Sequence, residues 1–364
     1  MLLLKDIRNT PLLWLLVLVP VAIAAHKLSP QAHTLHFFLS VLAIVPLAAL
    51  LSRATEQVAS RTGDTIGGLL NATLGNLTEM LIALAALRAG QYVLVKASIA
   101  GAIVANSLFM LGVAFLLGGL KHHTQEFNRN SARLQAGLLF LATIAILVPS
   151  VVADPDAGAA ANKFTHTLSA SLAVALIITY ALGLLFSLKT HSEFFGAAEH
   201  GEHGEELWPM SLALATLAAV TVLVALTSEI FVEYLQQEAT SLGLSPAFVG
   251  FIVVAIVGAA AEMVAAFSAA RKNRLDLSVG IALGSASQIA LFVAPVLVLL
   301  SYVLGPSPMD LTFWPGAIAM MLIATVTATL VTNSGRSAWF LGCLVVVVYL
   351  VFALTLYLLP PKVS

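Results

Sequence analysis

The sequence predicts an all-α integral membrane protein of eleven transmembrane helices: one peripheral N-terminal helix followed by two inverted five-helix repeats. Three observations predict it. The 364 residues are 60% hydrophobic and only 10% charged, with a mean hydropathy of +0.99, whereas soluble domains run about 45–50% apolar and about 25% charged. Cutting the chain at its charged and Pro/Gly-rich breaks leaves eleven apolar segments long enough to cross a bilayer core about 30 Å thick. Finally, short polar motifs recur at matched places in the two halves of the chain.

The segments lie at about 10–26, 34–60, 63–88, 91–120, 131–152, 164–189, 207–236, 246–271, 277–303, 312–332 and 337–359. The first follows Lys5 and Arg8 and ends in small residues, as a secretory signal does; it is read as a short first span. The distribution of basic residues tests the count, because a missing span would scramble Lys and Arg between the two sides. With the N-terminus cytosolic, twelve of the 17 basic residues fall on the cytosolic side. The C-terminus is therefore expected outside, and compact loops point to a bacterial-type inner membrane.

This division gives an extra helix over 1–30, a first repeat over 31–189, an acidic cytosolic linker over 190–206 and a second repeat over 207–364. The linker holds Glu199, Glu202, Glu205 and Glu206 with His200 and His203. It reads as a solvated connection or as a cytosolic cation-sensing segment. The net charge of −1 and the lack of a basic run exclude a nucleic-acid partner. Cys343, the single cysteine, excludes an intrachain disulfide.

Ionisable residues inside spans are costly, and each asks for a reason. Glu79 follows Gly75-Asn76-Leu77-Thr78 within the third segment, and Glu262 follows Gly258-Ala259-Ala260-Ala261 within the eighth. Each next segment adds an amide: Asn106, 27 residues after Glu79, and Gln288, 26 residues after Glu262, the latter preceded by Gly284 and Ser285. One segment earlier, Ala54-Thr55-Glu56 matches Thr227-Ser228-Glu229. An odd number of spans per copy makes the second copy enter from the opposite side, which brings the two glutamates together near the midplane.

Glycines at Gly75 and Gly258 let helices break there and free carbonyls. Two carboxylates with oxygens from Asn76, Asn106, Gln288, Thr78 and Ser285 suit calcium, which takes six to eight oxygen ligands. No histidine adjoins either glutamate in sequence, which disfavours softer metals. Two ionised carboxylates in a low dielectric repel, so protons and cation compete for them. Glu56, Glu229 and Glu233, near span ends, are candidates for a vestibule or a gate. Asp154, Asp156 and Asp310 read as ordinary loop charges.

These motifs, with Gly101 to Gly112 and Gly284-Ser285-Ala286-Ser287-Gln288-Ile289-Ala290-Leu291-Phe292, resemble those of the calcium/proton exchangers of the calcium/cation antiporter superfamily. The resemblance spans nearly the whole chain. It implies an antiporter that exchanges Ca2+ for H+ by alternating access, with Glu79 and Glu262 as shared cation and proton site and with no bound cofactor. It departs at Ala259 and Met263, where the family usually has Asn and His, so a possible ligand oxygen and a candidate proton carrier are missing from the second motif.

The expected partners are Ca2+, H+ and the lipid bilayer; self-association is left open. Competing readings are an H+-coupled Na+ or K+ antiporter, a Na+/Ca2+ exchanger of the same superfamily, and, from another class, a cation channel. No His-Glu-x-x-His or Gly-x-Ser-x-Gly motif points to an enzyme.

Overall fold

Long apolar stretches with few glycines and no competing turn chemistry form helices, and in a computed structural model the chain is almost wholly helical. The structure describes residues 2–29, 31–152, 158–191 and 207–361. The acidic linker glutamates Glu199, Glu202, Glu205 and Glu206, with Asp154 and Asp156, lie outside the described residues.

In chain order the helices are α1 (Leu2–Asn9), α2 (Leu18–Leu28), α3 (His33–Ala59), α4 (Asp64–Leu74), α5 (Leu77–Arg88), α6 (Tyr92–His122), α7 (Arg129–Val152), α8 (Gly158–Leu185), α9 (Met210–Ser241), α10 (Pro246–Gly258), α11 (Ala260–Arg271), α12 (Leu275–Leu304), α13 (Pro315–Thr332) and α14 (Trp339–Leu358). A tighter stretch, Pro11–Val17, leads into α2. Among the described residues nine helical stretches are long and apolar enough to cross a membrane, and eleven cross if each of two bent pairs counts as one span.

The bends fall at the two glutamate motifs. Helices α4 and α5 meet at 41° and α10 and α11 at 59°. Asn76, at φ −94° and ψ 23°, and Ala259, at φ −82° and ψ 8°, sit in the sparsely populated bridge region that separates each pair. Wider helical turns mark Ala105–Met110 in α6, Val249–Val254 in α10 and Ile289–Val293 in α12, a feature that often lies at functional sites.

Helices in lipid gain no hydrophobic drive from packing, so close crossings depend on small residues. A Cβ at Gly101 would lie 2.2 Å from the Phe251 carbonyl oxygen, so α6 and α10 touch backbone to backbone. At the α6–α14 crossing, a Cβ at Gly342 would lie 2.5 Å from the Gly112 carbonyl oxygen.

Polar chemistry ties the helix ends. Strands β1 (Thr124–Glu126) and β2 (Arg336–Ala338) pair antiparallel. The Gln125 side-chain amide donates to the Ala270 carbonyl at 2.9 Å and to Asn273 Oδ1 at 2.8 Å. Asp6 of α1 accepts from Arg53 and from the indole of Trp208, each at 2.9 Å, joining α3 to the residues that enter α9.

Asp310, read from sequence as an ordinary loop charge, forms a largely buried pair with Lys96 at 2.6 Å. Its carboxylate also accepts from the Thr312 N–H at 2.7 Å and from the Thr312 hydroxyl. Burial works to raise the Asp310 carboxyl, but Lys96 and the Thr312 donors outweigh it and hold it below its ordinary range.

Candidate ion-binding site

Because the helices restart at the bends, Glu79 is the third residue of α5 and Glu262 the third residue of α11. Each glutamate therefore lies in the first turn of a helix, the end whose unpaired N–H groups and dipole favour negative charge. The backbone matches around both: Met80 N–H donates to Asn76 O at 3.1 Å, and Met263 N–H to Ala259 O at 2.9 Å.

The two bends meet. A Cβ on Gly258 would lie 2.9 Å from Glu79 Cγ and 3.6 Å from its Cα and Cδ, so the stem of Glu79 rests on the α10 terminus. Only glycine gives it that room. Glu262 lies within electrostatic reach of Glu79.

The two environments differ in depth. Glu79 is 8% exposed, whereas Glu262 is half-buried. Helix α4 buries none of its described side chains beyond Gly67, whereas α10 buries Val249, Phe251, Val254 and Val257. The two bent pairs share a backbone plan and differ in how tightly their first halves are packed.

The predicted polar residues come together, though as partners of one another. Asn106 Nδ2 donates to Ser285 Oγ at 2.8 Å, the Ser285 hydroxyl donates to Asn76 Oδ1 at 2.9 Å, and Asn76 Nδ2 donates to Gln288 Oε1. This chain joins α6, α12 and the first bend, and it engages two of the three amide oxygens expected from sequence to face a cation. Among the described residues of this site, four buried oxygens have no hydrogen-bond partner: both carboxylate oxygens of Glu79, Oε2 of Glu262 and Oδ1 of Asn106. A buried acceptor left in that condition is costly. A hard cation would satisfy all four, and a proton on each carboxyl would remove the charge of the two glutamates.

The remaining predicted residues divide. Thr78 is buried beside Glu79, and Gly75 ends α4. Glu229, Glu233 and Glu56 are exposed, away from this network; Glu229 forms a 2.8 Å ion pair with Arg88 at the end of α5. Sequence reasoning passed over Arg88, although it stands nine residues after Glu79, as Arg271 does after Glu262.

The model for the sodium/calcium exchanger protein family matches residues 32–189 and 212–358. A Ca(2+)/H(+) antiporter from Aphanothece halophytica is 40% identical over 97% of this chain and 98% of its own. The chain belongs to this family, among its calcium/proton exchangers. A Ca(2+)/H(+) antiporter from Synechocystis is 39% identical over 96% of this chain and 97% of its own. The solved structure of native YfkE superposes with a TM-score of 0.81 at 34% identity, covering 95% of this chain and all of the other. Like its relatives, the chain is an integral membrane protein of the antiport class.

Proposed function

We propose that the chain exchanges Ca2+ for H+ across a membrane by alternating access, with Glu79 and Glu262 as the shared cation and proton site. The observation that carries this reading is the set of four buried acceptor oxygens without donors, on Glu79, Glu262 and Asn106, beside two helix bends. All four are oxygen, the donor type that calcium prefers and that protons also occupy on a carboxylate. The relatives from Aphanothece halophytica and Synechocystis, both Ca(2+)/H(+) antiporters by name, support this reading.

The chemistry follows from competition. An ionised Glu79 and Glu262 repel across a poorly solvated gap, and either a divalent cation or protons relieve that repulsion. Binding Ca2+ therefore expels protons, and protons arriving from the other face expel Ca2+. The amides tied into the Asn106–Ser285–Asn76–Gln288 chain hold the first bend against α6 and α12, and Asn106 Oδ1 supplies a neutral ligand. With Ala259 and Met263 in the second motif, no side-chain amide or imidazole stands next to Glu262 in sequence.

The architecture in this reading is eleven spans, with each bent pair counted as one: helix 11–28 outside two inverted repeats, 31–189 and 207–364, joined by the 190–206 linker, with the N-terminus cytosolic. The matched bends, the glutamate at the third position of α5 and α11, and the wider turns in α6 and α12 support the repeat. The membrane is a bacterial-type inner membrane, no cofactor takes part, and the protein is not an enzyme.

The test is uptake of radioactive calcium into proteoliposomes driven by an imposed pH gradient, with sodium and potassium as competitors. Calcium accumulation that an uncoupler abolishes supports the exchange. Uptake of sodium or potassium in place of calcium overturns the choice of ion, and calcium flux that ignores the pH gradient points to a channel.

A further inference from the structure

Arg88 ends α5 nine residues after Glu79, and Arg271 ends α11 nine residues after Glu262. At 1.5 Å per residue each guanidinium begins about 13 Å along the axis from its glutamate. The two helices close with the same turn. Gly90 has φ +72°, and the N–H groups of Gly90 and Gln91 donate to Leu87 O and Ala86 O. Asn273 has φ +60°, and the N–H groups of Asn273 and Arg274 donate to Ala270 O and Ala269 O. The arginines thus occupy equivalent places down to their hydrogen bonds.

Their acidic counterparts match as well. Glu229 of α9 pairs with Arg88 at 2.8 Å. Helix α9 packs on α5, and α3, which carries Glu56, packs on α11. The residue before each glutamate, Thr55 in α3 and Ser228 in α9, is buried with a hydroxyl that has no hydrogen-bond partner. By the repeat, Glu56 near the end of α3 and Arg271 at the end of α11 are therefore the counterparts of Glu229 and Arg88.

We infer that Arg88–Glu229 and Arg271–Glu56 are two matched ion pairs, one at each mouth of the path to Glu79 and Glu262, that form alternately as the transporter turns over. The inference rests on the inverted-repeat exchange reading. In the conformation described, the Arg88–Glu229 mouth is closed, in keeping with a deeply buried Glu79 and a half-buried Glu262. The Arg88 and Glu229 side chains are 58% and 51% exposed, so such a pair biases the equilibrium by no more than about fivefold. That suits a latch that must open in every cycle: a tighter pair would trap one state.

The test needs no ion movement, so its failure and the failure of the exchange reading are distinguishable. A chain carrying Cys343→Ser, Arg88→Cys, Glu229→Cys, Glu56→Cys and Arg271→Cys is treated in membranes with a short bifunctional thiol reagent, and the bridged peptides are read by mass spectrometry. Both bridges are expected, in different molecules, with the doubly bridged chain several-fold rarer than the product of the two yields. A 56–271 bridge that never forms, or two bridges that form independently in one molecule, overturns the inference. If the four-cysteine chain does not insert, the two-cysteine chains serve. Arg88→Ala should then raise 56–271 bridging, and Arg271→Ala should raise 88–229 bridging, by up to about fivefold; no change in either overturns the inference.

Discussion

Replacing Gly258 by alanine adds one methyl group, at the point where the two bent helix pairs touch. Its Cβ would lie 2.9 Å from Glu79 Cγ and 3.6 Å from Glu79 Cα. Carbon atoms rest at about 3.5–4.0 Å, so the first contact is short by more than about half an ångström. Gly258 needs no positive φ, and alanine in a helix gains about 0.5–1 kcal/mol over glycine. Relief must come from turning the Glu79 side chain off its rotamer or from parting the bends, at about 1–3 kcal/mol of overpacking. Fold stability then changes little, while the carboxylate leaves its place. At 1.4 kcal/mol per tenfold, apparent calcium affinity should fall about five- to 150-fold. The assay is pH-gradient-driven calcium uptake at a series of calcium concentrations. Gly284→Ala is the control, since a Cβ there meets nothing within 4 Å. A Gly258→Ala protein that reaches native levels in the membrane with affinity within twofold of native would refute the packing of Glu79 on Gly258.

Other substitutions probe the frame around the site. Gly101→Ala puts a methyl group 2.2 Å from the backbone oxygen of Phe251, where no side chain can yield, and should cost at least about 3 kcal/mol; the yield of folded protein in size-exclusion chromatography measures it. Asp310→Asn leaves Lys96 without its partner in a largely buried place and should destabilise by about 1–3 kcal/mol at neutral pH, seen as a lower Tm. The sign follows from the carboxyl being held below its ordinary range: its stabilisation is present above the unfolded value, near 4, and is lost as pH falls through the lower folded value. The Tm gap between native and Asp310→Asn should thus close on acidification; a gap that widens contradicts the pairing.

Much of this was legible in the sequence, because the bilayer imposes a length and a cost on every span. The segment ends fall within a few residues of the helices, and the glycines of Gly75-Asn76 and Gly258-Ala259 signalled the two bends. What escaped reading depends on side-chain direction. Asn76, Asn106, Ser285 and Gln288 lie together, but which oxygens bond to one another and which remain unpartnered is settled by rotamers that no spacing encodes. Asp310 looked like a solvated charge, since Lys96 stands 214 residues away. The three-residue strands β1 and β2 carry no period long enough to detect. Asp6, charged and near the N-terminus, gave no sign that it joins Arg53 to Trp208.

The central claim is that Ca2+ and protons compete for one pair of carboxylates. The most direct measurement is proton release on calcium binding to the purified protein in weakly buffered solution, for the native chain and for Glu79→Gln, Glu262→Gln and the double substitution. The native protein should release at least one proton per calcium bound, each single substitution should weaken calcium binding by at least about tenfold, and the double substitution should bind none and release none. Calcium binding with unchanged affinity and proton release in the double substitution would contradict the account.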